Sequence, residues 1–584
     1  MPKRVAEAAA IGVAATTAVL CWILLARTSG HHVIYWFSGW HPREGVALGI
    51  SFAVDGIGAG MAVLVATLTT ASLVFSMGYS RETVEHRYTV LMLLFMGAMV
   101  AFSLTGDLFD LFVFFELMSV AAYALTGTEV EHKGALQGAI NFGVVNSLGS
   151  FTILLGIALV YGRTGALNLA QIGRALVLHP PDHLVAVAFA LLAVGLLVKG
   201  SIVPFHFWLA DAHAVAPSTV CVLFSGVMVE LGLYGVARLY WTAFDGPFSP
   251  DRADLTAVLL GFGAATAVLG AVMALLQQHL KRMLAYSTIG HMGLFLIGVA
   301  LFDRAGLAGS ALYVVGHGLV KGALFLATGV IVFRMARIDE EALRGQGRGM
   351  AGTALVFVAG GLALADLPPF GMYTGKTLIE DAATAAGHWW VPWVFAFVAI
   401  LTATAVLRAA ARIFLGWGPP ERDRFAADRL GEQEADVEQR HDRTPALLWL
   451  PMTVLLAAGL AVGLVPGLSG RTQQAAADFE DRGRYEQAVL FGTDRPSPAV
   501  ATAPIGWSGA VTSLATASIA VVAAAAWLNR RRLLSGAARR RVHALAGPPL
   551  DALRSLHSGH AGDYAAWFTV GLALFGGLFV LALR

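Results

Sequence analysis

Charge and cysteine are what this sequence has least of. Acidic and basic residues fill 13% of its 584 positions, against roughly a quarter in soluble domains. A chain this poor in charge and 57% hydrophobic is not a string of soluble domains. Its formal charge of +2 leaves no basic footprint for a nucleic acid. Cys21 and Cys221 stand in separate apolar segments and read as small core residues. They supply neither a disulfide framework nor a metal cluster. The stretch "GRGMAGTALVFVAGG" lacks the Lys-Ser/Thr ending of a phosphate loop. No cofactor or metal is expected.

What is present is a series of apolar runs of about 18 residues or more, each long enough to cross a bilayer as a helix. They predict an all-α polytopic membrane protein of about 15 crossings, at 9–27, 45–78, 88–105, 107–127, 135–161, 183–203, 217–242, 255–277, 284–302, 308–333, 350–386, 389–416, 445–466, 506–528 and 562–583. The first run follows Lys3 and Arg4, exceeds a usual signal core and ends in no small-residue cleavage site, so it reads as a retained anchor. Loop cations, among them Arg81, Arg87, Lys133, Lys281, Arg282, Arg334 and the "NRRRLLSGAARRRVHAL" segment, favour a cytoplasmic N-terminus. A charged segment at 417–444 is expected as an inner loop, and "SGRTQQAAADFEDRGRYEQAVLFGTDRPSPAV" as an outer, partly helical one. The helices beyond residue 440 read as an appendage to a core that ends near 416.

Two runs look broken. In "LLAVGLLVKGSIVPFHFWLADAHAVAP" a lysine precedes Pro204; in "GLALADLPPFGMYTGKTLIEDA" Pro368 and Pro369 precede a lysine. Proline removes a backbone donor and disrupts the preceding turn. Irregular backbone at membrane depth persists only where protein or a watery cavity surrounds it. Interrupted helices in two parts of a chain point to a transport site.

The cations sharpen that reading. Only six of forty are lysine, and Lys199, Lys321 and Lys376 fall inside apolar runs. A desolvated lysine can give up its proton, whereas arginine keeps it. Each buried lysine costs about 2.5–3.5 kcal/mol on the insertion scale, so idle ones are disfavoured; the alternative is a structural ion pair or a snorkelling side chain. Glu116, in "DLFDLFVFFELMSVAAYALTG", could pair with Lys199, and Glu230 is a second intramembrane acid. Asp107 and Asp110 read as solvated mouth residues. His317 and Lys321, four apart, share one helix face, and His291 has Tyr286 and Ser287 nearby. Asp211 and His213 are further relay candidates. In each case a packed, hydrogen-bonded side chain is the competing reading.

Five motifs in order, "FFELMSVAAYALTG", "KGSIVPFHFWLADAHAVAPSTV", "LKRMLAYSTIGHMG", "GHGLVKGALF" and "LPPFGMYTGK", resemble the antiporter-like proton-translocating subunits. These are shared by Mrp-type cation/proton antiporters, by the membrane arm of respiratory complex I, and by membrane-bound hydrogenases; the resemblance is strongest to the Mrp D-type or the hydrogenase-type component. The resemblance spans roughly 45–416. It implies two inverted five-helix bundles with broken helices, here 107–242 and 255–416, preceded by helices in 1–106 and followed by the loop at 417–444 and an extension over 445–584. It implies a proton relay of Glu116, Lys199, Glu230, His317, Lys321 and Lys376. Glu230 departs from the pattern, which usually has lysine there. Implied partners are other membrane subunits, protons, with sodium as a candidate exchange ion, and the lipid of a bacterial plasma membrane.

Other classes compete. His206, His213, His291 and His317 could ligate haem in a redox protein. Inverted repeats also build solute transporters, and an assembly scaffold would need none of these charges.

Overall fold

The computed structural model describes residues 3–79, 86–128, 133–178, 182–419, 440–502, 508–533 and 559–583, with a few isolated positions between the last two. Arg81 and most of the segments at 417–444 and 529–545 lie outside the described residues. The chain is helical throughout, apart from a hairpin of β1 (Val33–Trp36) and β2 (Ser51–Val54), paired antiparallel with Val33 opposite Val54. The helices are α1 (Lys3–Arg27), α2 (Gly56–Gly78), α3 (His86–Leu104), α4 (Leu108–Thr126), α5 (Lys133–Thr164), α6 (Leu169–Leu178), α7 (His183–Lys199) and α8 (Phe207–Val215). Then come α9 (Ser218–Phe248), α10 (Arg252–Leu276), α11 (Leu280–Ala300), α12 (Arg304–Met335), α13 (Ala351–Ala363), α14 (Gly371–Ala385) and α15 (Val391–Leu415). The series ends with α16 (Ala446–Leu464), α17 (Leu468–Glu480), α18 (Arg482–Phe491), α19 (Ser508–Leu533) and α20 (Ala561–Ala582).

Among the described residues 13 helices are long and apolar enough to span a membrane. With the two broken helices, α7–α8 and α13–α14, the tally meets the number expected from sequence. The chain is a multi-pass membrane protein. Burial sorts the helices by depth in the bundle: α9, α11 and α12 are almost wholly enclosed, while α1, α16 and α20 turn most of their surface outward. Lipid-facing apolar side chains need no core partner, and this is why so many large apolar residues are exposed.

One expected helix changes. The run at 45–78 is not one helix. "SFAV" pairs with Val33–Trp36 as β2, and Asp55 then caps α2 by accepting from the Gly58 N–H at 2.9 Å. The run at 350–386 is broken as expected, into α13 and α14. The polar stretch at 470–500 carries two helices, as anticipated in part. They pack inward, α17 on α2 and α12, and α18 on α6.

Buried ion pairs brace the ends of the bundle. Arg238 on α9 meets Asp55 at 2.6 Å, with Phe479 of α17 under the guanidinium. Burial opposes the Asp55 charge, but Arg238 and the Gly58 N–H hold its carboxyl below the usual range. Arg408 and Arg412 on α15 both reach Glu340 at 3.1 Å. In each helix a π-helical segment follows, at Tyr240–Phe244 and Ala411–Leu415.

Candidate functional site

The two breaks share one backbone plan. α7 stops at Lys199 and Ser201 takes a left-handed φ of +52°; α13 stops at Ala363 and Asp366 takes +56°. Aspartate tolerates that region better than most residues, because its short side chain can bond locally. Proline stands three residues on in both, at 204 and 369, and a short helix follows.

At the first break Lys199 is fully buried. Its Nζ donates to Ser119 Oγ of α4 at 2.6 Å and lies over the rings of Phe115 and Phe142, at 4.6 and 5.6 Å. Glu116, one turn before Ser119, makes no ion pair with it within 4 Å; its Oε1 is buried without a hydrogen-bond partner. The amine thus touches one hydroxyl and two aromatic faces, with the Glu116 charge within reach. Such faces attract a cation and also tolerate a neutral amine.

α9 runs from this break to the centre. Gly232 lies so close to α7 that a Cβ would come within 2.5 Å of the Leu196 carbonyl oxygen and 2.6 Å of the Gly200 nitrogen. At Gly226 the same helix touches α12, where a Cβ on Gly318 would stand 2.3 Å from the Gly226 oxygen. Between these contacts sits Glu230, just after a π-helical turn at Phe224–Met228. One inserted residue turns a helix face by about 100°. The buried Glu230 carboxylate is directed at α12, where Oε1 lies 3.2 Å from His317 Nδ1.

His317 opens a connected set. Its ring lies against that of His291, centroids 4.9 Å apart, and His291 Nδ1 donates to the Ser287 carbonyl at 2.6 Å. Lys321 Nζ donates to the Leu284 carbonyl at 2.8 Å and to the Ser287 hydroxyl. Ser225 and Thr288 share a hydroxyl–hydroxyl bond beside them. The two imidazoles touch each other rather than face across the gap a haem plane would need. His213 stacks on Phe325 at 4.8 Å, and neither of its ring nitrogens has a hydrogen-bond partner.

At the second break Lys376 Nζ lies 3.7 Å from Glu380 and donates to Ser513 Oγ of α19 at 3.1 Å. Buried Asp366 stands beside Tyr313 and within reach of the Lys376 charge. Asp211 follows the first break, with Tyr564, Asn141 and Arg282 around it at 2.6, 3.3 and 3.8 Å. Asp107 is no mouth residue: it is buried and caps α4 by accepting from the Phe109 and Asp110 N–H groups, both at 2.9 Å.

The structure therefore brings Glu230, His317, His291 and Lys321 together, sets Lys376 among acids, and places Glu116 within reach of the Lys199 charge without a direct ion pair. Sequence reading missed Asp366, Glu380, Ser119 and Ser513, and found Ser287 only as a neighbour of His291. Asp366 carried the same signal as Glu116, an acid in an apolar run; the serines carried none.

The model of the family described as NADH:quinone oxidoreductase/Mrp antiporter, TM, matches residues 105–402. The chain belongs to this family. The N subunit of the NADH-quinone oxidoreductase of Desulforudis audaxviator is 31% identical over 468 residues, covering 78% of this chain and 89% of the relative. The D subunit of the Na(+)/H(+) antiporter of Bacillus subtilis is 26% identical over 461 residues, 77% of this chain and 87% of that one. A chain in the structure of the Mrp complex from Dietzia sp. DQ12-45-1b superposes with a TM-score of 0.74 at 30% identity, covering 83% of this chain and 95% of that chain. The matched residues contain both breaks and every relay candidate.

Proposed function

We propose that this chain is the proton-translocating membrane subunit of a multisubunit assembly, an Mrp-type antiporter or a respiratory or hydrogenase complex, in a bacterial plasma membrane. The observation that carries the reading is the buried set Glu230–His317–His291–Ser287–Lys321. All its titratable members lie in the interior of spanning helices. Burying four ionisable groups is costly, and intramembrane groups of this kind mark proton paths. A carboxylate against an imidazole can hold one proton between them. The next imidazole and the serine lead to an amine that binds a proton or releases it. Lys199, with Glu116, serves the first break in the same role, and Lys376, with Glu380, the second.

Electrostatics supplies the coupling. Moving one charge through 100 mV contributes about 2.3 kcal/mol, enough to shift a proton affinity by more than one unit. The driving energy comes from partner subunits or an ion gradient, with sodium as the exchanged ion in the antiporter setting. The N-terminus lies in the cytoplasm on this reading, following the loop cations.

The test is proton movement in inside-out membrane vesicles that hold the assembled complex, followed with a pH-sensitive dye. Lys321→Ala and Glu230→Gln should each lower the initial rate by about 100-fold, the scale of a lost proton-transfer group. Wild-type rates in both variants would overturn the reading.

A further inference from the structure

α19 and α20 lie beyond the family-matched residues 105–402, yet each comes down on one of the two breaks. α20 packs along α5 and α7. Gly571 sits so close to the first break that a Cβ would come within 2.6 Å of Pro204 Cγ and 2.5 Å of the Phe205 ring. Phe575 stacks on Phe205 at 5.7 Å and Tyr564 on Phe207 at 5.4 Å. From that stack the Tyr564 hydroxyl donates to Asp211 Oδ2 at 2.6 Å. Asn141, which also meets Asp211, donates to the Gly559 carbonyl just before α20 at 2.8 Å.

α19 repeats the arrangement at the second break. It packs on α14 and α15, and Thr516 Oγ1 donates to the Ala365 carbonyl at 3.3 Å. Buried Ser513 accepts from Lys376 Nζ at 3.1 Å. The register is the same at both sites. Asp211 lies ten residues after the left-handed Ser201, and Lys376 ten residues after the left-handed Asp366.

We propose that Ser513 and Tyr564 are positioning residues of the proton path, supplied by the C-terminal helices, each holding the charged group of one short helix in line. This rests on the proton-translocation reading and deepens it. A lysine amine on a four-carbon stem sweeps a wide arc unless something fixes it. A hydroxyl both accepts and donates, so it fixes the group and can pass a proton on. A purely structural helix would need only the apolar contacts of Gly571 and Phe575 and the Thr516 bond to the backbone. It would not need a hydroxyl on the one charged group at this register in each short helix.

The experiment uses the full chain expressed with its partner subunits, in inside-out vesicles, with the dye readout described above. Ser513→Val and Ser513→Thr have the same shape and differ by the hydroxyl; Tyr564→Phe keeps the stack on Phe207. Ser513→Val and Tyr564→Phe should each slow proton movement by roughly tenfold, the effect of one hydrogen bond to a charged group. Ser513→Thr should stay within about twofold of wild type. Equal amounts of chain in the membrane are required for the comparison, and the Thr–Val difference reads the hydroxyl at constant packing. If Lys321→Ala abolishes transport but Ser513→Val matches Ser513→Thr, or Tyr564→Phe matches wild type, the proposal is overturned and the path reading stands. If Lys321→Ala itself has no effect, the underlying reading fails instead.

Discussion

The two broken helices follow one backbone plan and carry opposite charge. Ten residues past the left-handed turn the first has Asp211 and the second Lys376. At the turn itself the first has Ser201 and the second Asp366. The first break's lysine comes before the turn and binds a hydroxyl between two rings, with Glu116 within reach; the second's comes after it, with Glu380 at 3.7 Å and Asp366 within reach. Backbone shape thus sets where a charge can stand, and the side chains decide its sign and its neighbours. A break is a place for a titratable group, not a fixed chemical site.

The strongest way to break this comparison is Lys199→Arg set against Lys376→Arg. Arginine keeps the positive charge but does not release its proton. If both lysines act as carriers, both variants lose transport by about 100-fold in the vesicle assay. If Lys376 serves only as a fixed countercharge to Asp366 and Glu380, its arginine variant keeps its rate and the two sites have different jobs. Arg238→Ala comes next in size. It leaves Asp55 buried and unpaired and should cost about 3 kcal/mol or more, seen as a lowered unfolding temperature in detergent. A variant as stable as wild type would show that this brace holds nothing.

A smaller effect separates the surroundings of the breaks. Gly232→Ala forces a methyl group against the Leu196 carbonyl, and Gly375→Ala forces one within 2.4 Å of the Tyr313 nitrogen. Each should cost about 1–3 kcal/mol by overpacking. Thermal unfolding checks both, and equal losses would mean that the two breaks are seated with equal tightness. The smallest effect serves as a control outside both. Burial on α17, beside Asp303, raises the Glu480 carboxyl to about 7. The folded state therefore favours its protonated form, and the stability this provides is lost as pH rises from 4.5 to 7. Glu480→Gln should leave the unfolding temperature unchanged at pH 5 and raise it at pH 8.

Much of this was legible in the sequence. Prolines marked the breaks because their missing donor and ring bulk act locally, wherever the chain goes. Lys199, Glu230 and Lys321 stood out because a charge in an apolar run is costly in any fold. The strand at 51–54 was hidden within a longer apolar run. Glu116 does lie within reach of the Lys199 charge, but the direct hydrogen bond goes to Ser119, a turn further along α4. Ser119 and Ser513 were invisible, since a serine in a transmembrane helix can bond its own backbone and gives no sign of a partner from another helix. The role of the C-terminal helices was hidden for the same reason. Their importance lies in two hydroxyls rather than in any pattern.

The touching backbones at Gly226 and Gly318 have a mechanical corollary. Where main-chain atoms already meet, two helices have no slack in which to slide or tilt past one another. Closer approach of α9 and α12 is shut off at this one point, so any change in their spacing there can only be outward.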